Sequence, residues 1–348
     1  MADIEPHKID HPCVWTSAEL DRDPSWIWRF TDAELAELDT ALQSSKAKGL
    51  TEQSVTKVDF PLPTFSRKLD RLLDELEHGR GVVLMRGFPV DRYSEADVRR
   101  IYWGMGVHLG ELQSQNTKGE YMQEVTDLGL DYNADAQRGS MTAAKLRPHC
   151  DITDVVALLC VRKSKSGGGS TIRSSMSMYN EVYDQHPEYL DVLYRGFQFD
   201  LDGKGPTGDP LEVTHHIPVF SWHEDHLSCR FNQKAIEDGA QKAGTPLTRL
   251  QQDAVNFVGE LALRPDLEHT MDFQIGDIQW LNNYVMLHSR EAFTDYDDPT
   301  QRRMLLRLWV NHDKVRPLNY DFANKALMGP RKGVKKRASP GPGDATNR

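Results

Sequence analysis

In the stretch KLRPHCDITDVV, residues 145–156, a histidine and an aspartate stand one residue apart at the start of an apolar run. If that run is a strand, side chains at i and i+2 share a face, so His149 and Asp151 lie side by side while Cys150 turns away. Two such groups on one face can chelate a metal ion. The spacing alone is a weak signal, because the chain has 13 histidines and repeats the pattern in His223 with Asp225 and in His186 with Glu188. The first of these sits in SWHEDHLS, a polar run that reads as a hairpin turn. The second is followed by Pro187 in a solvated helical context.

What singles out His149 and Asp151 is the downstream segment GDIQWLNNYVMLHSREAFTDYDDPTQRRMLLRLWV. Gly276 and Asp277 make a turn, an apolar strand follows, and His288 ends it. Two histidines and one carboxylate on one face of an ion leave coordination positions open, as in the facial triad of non-haem Fe(II) oxygenases, although zinc hydrolases use the same donor types. In QRRMLLRLWV, alternation puts Arg303, Leu305 and Arg307 on one face and Arg302, Met304 and Leu306 on the other. An inward arginine on an apolar strand is costly unless it meets an anion, and a planar guanidinium suits a carboxylate held through two hydrogen bonds. A dicarboxylate cosubstrate supplies such an anion, which favours iron over zinc.

The motifs HCD, GGGST, GDIQWLNN, LHSREAF and QRRMLLRLW together resemble the Fe(II)- and 2-oxoglutarate-dependent dioxygenases of the taurine dioxygenase (TauD/TfdA) type, over most of residues 10–325. The resemblance implies a double-stranded β-helix, or jelly roll, with His149, Asp151 and His288 as iron ligands. It implies Arg303 and Thr171 as partners of the distal carboxylate of 2-oxoglutarate, and Arg307, Gln115 and Asn116 as substrate contacts. For the last three the plainer readings are an ion pair for Arg307 with a neighbouring acid and a turn cap for the loop amides. The implied cosubstrates are 2-oxoglutarate and O2, with release of succinate and CO2 as a C–H bond of a small, acidic or amino-acid-like molecule is oxidised by hydroxylation, desaturation or ring closure. Rival readings are a non-redox zinc hydrolase on the same ligands and a catalytically silent small-ligand-binding jelly roll. His215, His216, His223 and His226 fit no closed four-ligand zinc pattern with Cys229 and read as a polar hairpin.

The elements that must position these residues follow from hydrophobic period and turn chemistry. FTDAELAELDTALQ carries a capping box in Thr31 and Glu34, with Leu35, Leu38 and Leu42 at helical spacing. The run 81–90 reads as a strand, and Ser94 starts a second helix. From 121 onward the chain predicts short strands at 121–126, 155–163, 170–175, 213–220, 227–232, 271–275, 278–282 and 303–310, interrupted by helices near 177–195 and 246–263. The fold class expected is mainly β with peripheral helices (α+β). One catalytic jelly-roll domain spans 1–325, with a helical elaboration over about 1–110. Residues 326–348, rich in Lys, Arg, Pro, Gly and Ser, predict a disordered tail.

Bulk properties narrow the function classes. The 348 residues carry a formal charge of −10, which argues against a nucleic-acid groove. The 4 cysteines are scattered, without a C-x-x-C pair or a secretory signal, and the longest apolar runs fall well short of the roughly 20 residues that cross a bilayer. The sequence therefore predicts a soluble cytoplasmic enzyme with a small-molecule substrate and no membrane partner. It is compatible with a homo-oligomer.

Overall fold

The computed structural model describes residues 6–127, 142–323 and 333–337. Among these, a seven-stranded sheet runs in the order Ile27–Arg29, Val82–Arg86, Ile278–Asn282, Val155–Arg162, Met304–Asn311, Glu111–Leu112, with Met122–Val125 also paired to Met304–Asn311. Pairing is antiparallel except between the first two strands. A four-stranded antiparallel sheet, ordered His269–Met271, Ser170–Ser174, Met286–Arg290, Leu146–His149, forms the second layer. The two layers make the expected jelly roll.

Side-chain alternation in the large sheet builds two different environments. Val155, Ala157, Leu159, Ile278, Trp280, Leu306 and Leu308 face outward into a core shared with Leu38, Leu42, Leu69, Leu72, Leu76, Ile101 and Met105 from three covering helices. Leu158, Cys160, Leu281 and Leu305 face inward, into the space between the sheets. The helix Asp32–Ala47 begins at the anticipated capping box, where Thr31 Oγ1 accepts from Glu34 N at 3.3 Å. Glu95–Leu109 begins at Ser94, which accepts from Asp97 N. The helix Phe65–His78 is absent from the expectation above, although Leu69, Leu72, Leu73 and Leu76 carry a plain helical period.

Several boundaries move. The apolar run leading to His288 is two strands rather than one: Ile278–Asn282 lies in the large sheet and Met286–Arg290 in the small one. The corner between them is pinned by Asn282, whose Oδ1 accepts from Tyr284 N at 2.9 Å and whose Nδ2 donates to Leu76 O at 2.9 Å. The strand expected at 271–275 is His269–Met271, and 213–220 divides into Val213–Ile217 and the start of Phe220–His223. The expected helix over 177–195 is Ser175–Gln185 followed by Leu190–Arg195, and the one over 246–263 is Arg249–Leu261.

The turn at Gly276 is as anticipated, with a geometric reason: φ is +84°, and a Cβ there would lie 1.9 Å from Phe88 O. Asp277 beside it is fully buried and binds Arg86 through two hydrogen bonds, Nε–Oδ1 at 2.9 Å and Nη2–Oδ2 at 2.8 Å, which locks the turn to the neighbouring strand. Of the segment expected to be a disordered tail, residues 333–337 correct that expectation. Val334 is buried with Val156, Leu201 and Trp309, and its N–H donates to Ser114 O at 2.8 Å. The lone valine in a basic stretch had an apolar partner that local composition does not show. The rest of 326–348 falls outside the described residues. Among the described residues no helix is long and apolar enough to cross a membrane.

Candidate metal centre

His149 is the last residue of Leu146–His149 and stands directly opposite His288 in Met286–Arg290. Opposed residues of an antiparallel pair share a face, so the two imidazoles meet with ring centroids 4.5 Å apart. Asp151, two residues on, completes the group: Oδ1 lies 3.6 Å from His149 Nε2 and Oδ2 3.7 Å from His288 Nε2. One donor atom from each of the three lies within 4.8 Å of the others, and among the described residues this is the one such group with metal-ligating potential. Cys150 faces the opposite way, its Sγ against the carbonyls of Cys229 and Met286.

The chemistry of the donors fits a divalent transition metal. His149 Nδ1 sits 2.9 Å from Arg147 O, which fixes the proton on that nitrogen and leaves Nε2 as a lone-pair donor toward the other two residues. Burial, then the neighbouring His149, push the His288 imidazole down to about 3, so it is neutral. Burial opposes ionisation of Asp151, but the Arg307 guanidinium foremost outweighs it and holds the carboxyl well below the usual carboxylate range. Two imidazoles and one buried carboxylate converge on one point, which is the arrangement a cation between them requires.

The surrounding residues orient Asp151. Trp309 Nε1 donates to Oδ2 at 2.8 Å and Arg307 Nη1 at 3.1 Å. Asn283, at the corner before the His288 strand, accepts from Asp151 N at 2.9 Å and donates to Asp151 O at 2.6 Å and Thr153 O at 2.9 Å. Trp309 and Asn283 escaped the sequence reading. Trp309 continues the Arg303, Leu305, Arg307 alternation and was legible on that ground, whereas the Asn283 contact depends on a fold crossing that local pattern does not reveal.

Arg303 is 4% exposed, and its Nη1 has no hydrogen-bond partner. Its guanidinium lies over Phe293 at 5.1 Å, its Nη2 reaches Gly168 O at 3.4 Å, and burial pushes it down to about 10. A buried guanidinium with an unused donor beside a metal-type triad is suited to a carboxylate.

Four of the expected contact residues have partners within the protein. Thr171 stands opposite Ser289 and hydrogen-bonds its hydroxyl, while Ile172 stands opposite His288. Thr171 is therefore on the face turned away from the triad, where Arg173 Nη2 also donates to it at 3.1 Å. The hydroxyl on the inner face is Ser170, whose Oγ donates to Gln279 Oε1 of the opposite sheet at 2.9 Å. Arg307 takes the plainer reading: Nη1 binds Asp151, Nε donates to Gln115 Oε1 at 2.8 Å and Nη2 to Gln123 Oε1 at 3.0 Å. Gln115 also donates to Tyr121 O and Arg307 O, which makes it a brace for Arg307 and leaves no free amide for a substrate. Asn116 caps its own loop, accepting from Lys118 N and Glu120 N and donating to the Glu120 carboxylate.

The decoy histidines behave as anticipated. His223 and His226 pair across a two-residue turn in which Glu224 and Asp225 have φ of 45° and 61°, the left-handed conformation of a tight hairpin. His186 pairs with Glu188 at the surface.

Comparison with known proteins adds an independent line. The family model described as taurine catabolism dioxygenase TauD, TfdA family matches residues 46–309. FR-33289 synthase of Streptomyces rubellomurinus is 30% identical over 320 residues, covering 91% of this chain and 94% of that protein. The taurine hydroxylase-like protein SAT17 of Stachybotrys chartarum is 24% identical over 332 residues, covering 90% and 84%. Among solved structures, asparagine oxygenase in complex with Fe(II), 2S,3S-3-hydroxyasparagine and succinate superposes with a TM-score of 0.65 at 17% identity, covering 89% of this chain and 99% of that one. The non-haem iron oxygenase OrfP with Fe and alpha-ketoglutaric acid gives 0.58 at 15% identity, covering 82% and 94%.

Proposed function

This chain belongs to the taurine catabolism dioxygenase TauD, TfdA family and is a non-haem Fe(II)- and 2-oxoglutarate-dependent oxygenase; from that premise we propose that His149, Asp151 and His288 hold the iron. The observation that carries the assignment is the convergence of these three side chains within 4.8 Å. When bound, the iron would supply the oxidation of a substrate C–H bond by O2, coupled to conversion of 2-oxoglutarate to succinate and CO2, with hydroxylation, desaturation or ring closure as the outcome.

The protein's part is positioning. Arg303 takes the distal carboxylate of 2-oxoglutarate, with Ser170 as the hydroxyl offered from the facing sheet and Phe293 stacked beneath the guanidinium. Leu158, Leu305 and Ile172 supply the apolar lining that keeps water from the reacting groups. Arg307 and Trp309 hold Asp151 ionised and in one orientation. The substrate class is a small acidic or amino-acid-like molecule, in keeping with the hydroxyasparagine and hydroxyarginine complexes of the structural neighbours. The zinc-hydrolase reading loses ground because it has no use for the unmatched guanidinium of Arg303, and the silent-binder reading because it has none for a metal with open positions.

The test is anaerobic. Wild-type protein with Fe(II) and 2-oxoglutarate is expected to show the weak visible charge-transfer band of a chelated keto acid. His149→Ala and Asp151→Ala abolish it, and His223→Ala keeps it. A wild type without the band, or a band that survives Asp151→Ala and disappears with His223→Ala, overturns the assignment. A succinate-release screen over amino acids, sulfonates and small carboxylic acids then identifies the substrate.

A further inference from the structure

A second buried arginine near the triad has no anionic partner among the described residues. Arg230 is 7% exposed, its guanidinium lies over the Phe199 ring at 4.9 Å, and its Nη1 has no hydrogen-bond partner. Among the described residues no carboxylate pairs with it: the groups that act on it are the Cys150 thiol and the Tyr284 hydroxyl. Burial pushes the guanidinium down to about 10, a measure of how little the protein compensates it. A buried cation without a counter-charge is costly, and a fold keeps one where an anion arrives from outside.

Two lines of contact place Arg230 on the wall of the metal centre. Along its own chain, Asn232 bridges to His149, and Phe231 O accepts from Cys150 N at 2.9 Å. Leu227, Cys229 and Phe231 enter the core on the Cys150 side. Alternation therefore turns Arg230 and Asn232 to the side shared with His149. Through its ring partner, Phe199 leads two residues on to Leu201, which packs against Trp309, the donor to Asp151.

The other cations of the site are already committed. Each nitrogen of Arg307 donates to a protein acceptor, and Arg303 is taken by the cosubstrate. We propose that Arg230 binds the acidic group of the substrate, the oxyanion of a carboxylate, sulfonate or phosphonate on a small organic acid, and so selects which C–H bond faces the metal. This rests on the reading of the triad as the iron centre.

The probes are acetate, methanesulfonate and methylphosphonate, added to the anaerobic Fe(II)–2-oxoglutarate complex and, separately, to metal-free protein in a thermal melt, with chloride at matched ionic strength as control. At least one probe is expected to shift the charge-transfer band and raise the melting temperature of the wild type in a saturable way. Arg230→Met weakens that response at least tenfold while keeping the band itself. Arg303→Gln keeps the thermal response while weakening 2-oxoglutarate binding. Without ligand, Arg230→Met melts at or above the wild type, because no protein anion loses its partner. Failure of the wild-type band would count against the iron assignment alone. With the band present, equal probe responses in wild type and Arg230→Met, no response to any probe, or a melting temperature several degrees lower in Arg230→Met with its probe response intact would each overturn the role of Arg230.

Discussion

At the scale of single residues, the centre depends on hydrogen bonds to Asp151 as much as on the ligands themselves. Trp309 contributes both apolar bulk and one N–H, and these can be separated. Trp309→Phe retains most of the ring and removes the donor at 2.8 Å from Oδ2. Loss of such an outer contact typically weakens metal affinity about 10- to 100-fold. The expected result of an anaerobic Fe(II) titration is a shift of that order, with little change in the melting temperature of the metal-free protein. Arg303→Gln acts at a different partner: a charge-assisted contact worth about 1.5–3 kcal/mol disappears, so the 2-oxoglutarate Kd rises by one to two orders of magnitude while Fe(II) affinity holds. Titration of the charge-transfer band measures both quantities.

At the scale of elements, the corner between Ile278–Asn282 and Met286–Arg290 joins the two sheets and clamps the ligand segment. Asn283 satisfies three backbone groups there, and Asn283→Ala leaves them buried without partners. An unsatisfied buried group costs about 1–3 kcal/mol, so urea unfolding is expected to show a loss of at least that size. Fe(II) binding weakens with it, because the Asp151 backbone is released. This element also shows where sequence reading falters. In QWLNNYVMLH only Asn282 and Asn283 interrupt the apolar run, and a polar pair inside a strand pattern does not by itself say that the chain changes sheet at 283–285. The same parity argument decides Ser170 over Thr171: a slip of one residue reverses the face, and the glycines before Ser170 leave the register weakly specified.

At the scale of the whole molecule, the helical layer is tied to the chain beyond the arginine strand by a buried charge cluster. Glu77, at the end of Phe65–His78, receives Arg316 Nε at 3.1 Å and lies 3.2 Å from His312 Nε2. Burial raises the Glu77 carboxyl, but His312 and Arg316 outweigh it and the net shift is downward. A carboxylate with a lowered folded-state value stabilises the protein fully above its unfolded value, about 4.3, and the contribution is lost as pH falls through the folded value. Acid unfolding monitored by circular dichroism is thus expected to steepen below about pH 4.3 in the wild type. Glu77→Gln removes that part of the pH dependence and lowers stability at neutral pH by about 3–5 kcal/mol, the usual consequence of unpairing a buried cation. A wild-type curve no steeper than that of Glu77→Gln would sink this account.

The sequence by itself determined the donor types, the HCD and His288 motifs, the shared Arg303, Leu305, Arg307 face and the mainly β class, because these follow from local alternation and turn chemistry, while the jelly roll was implied by the family resemblance. Only the tertiary structure decided that Ser170 faces inward, that Arg307 serves Asp151, and that Arg230 stands without an anion. Each of those facts depends on which distant side chain fills the space beside it, and a period of two along one strand carries no information about the occupant of the next.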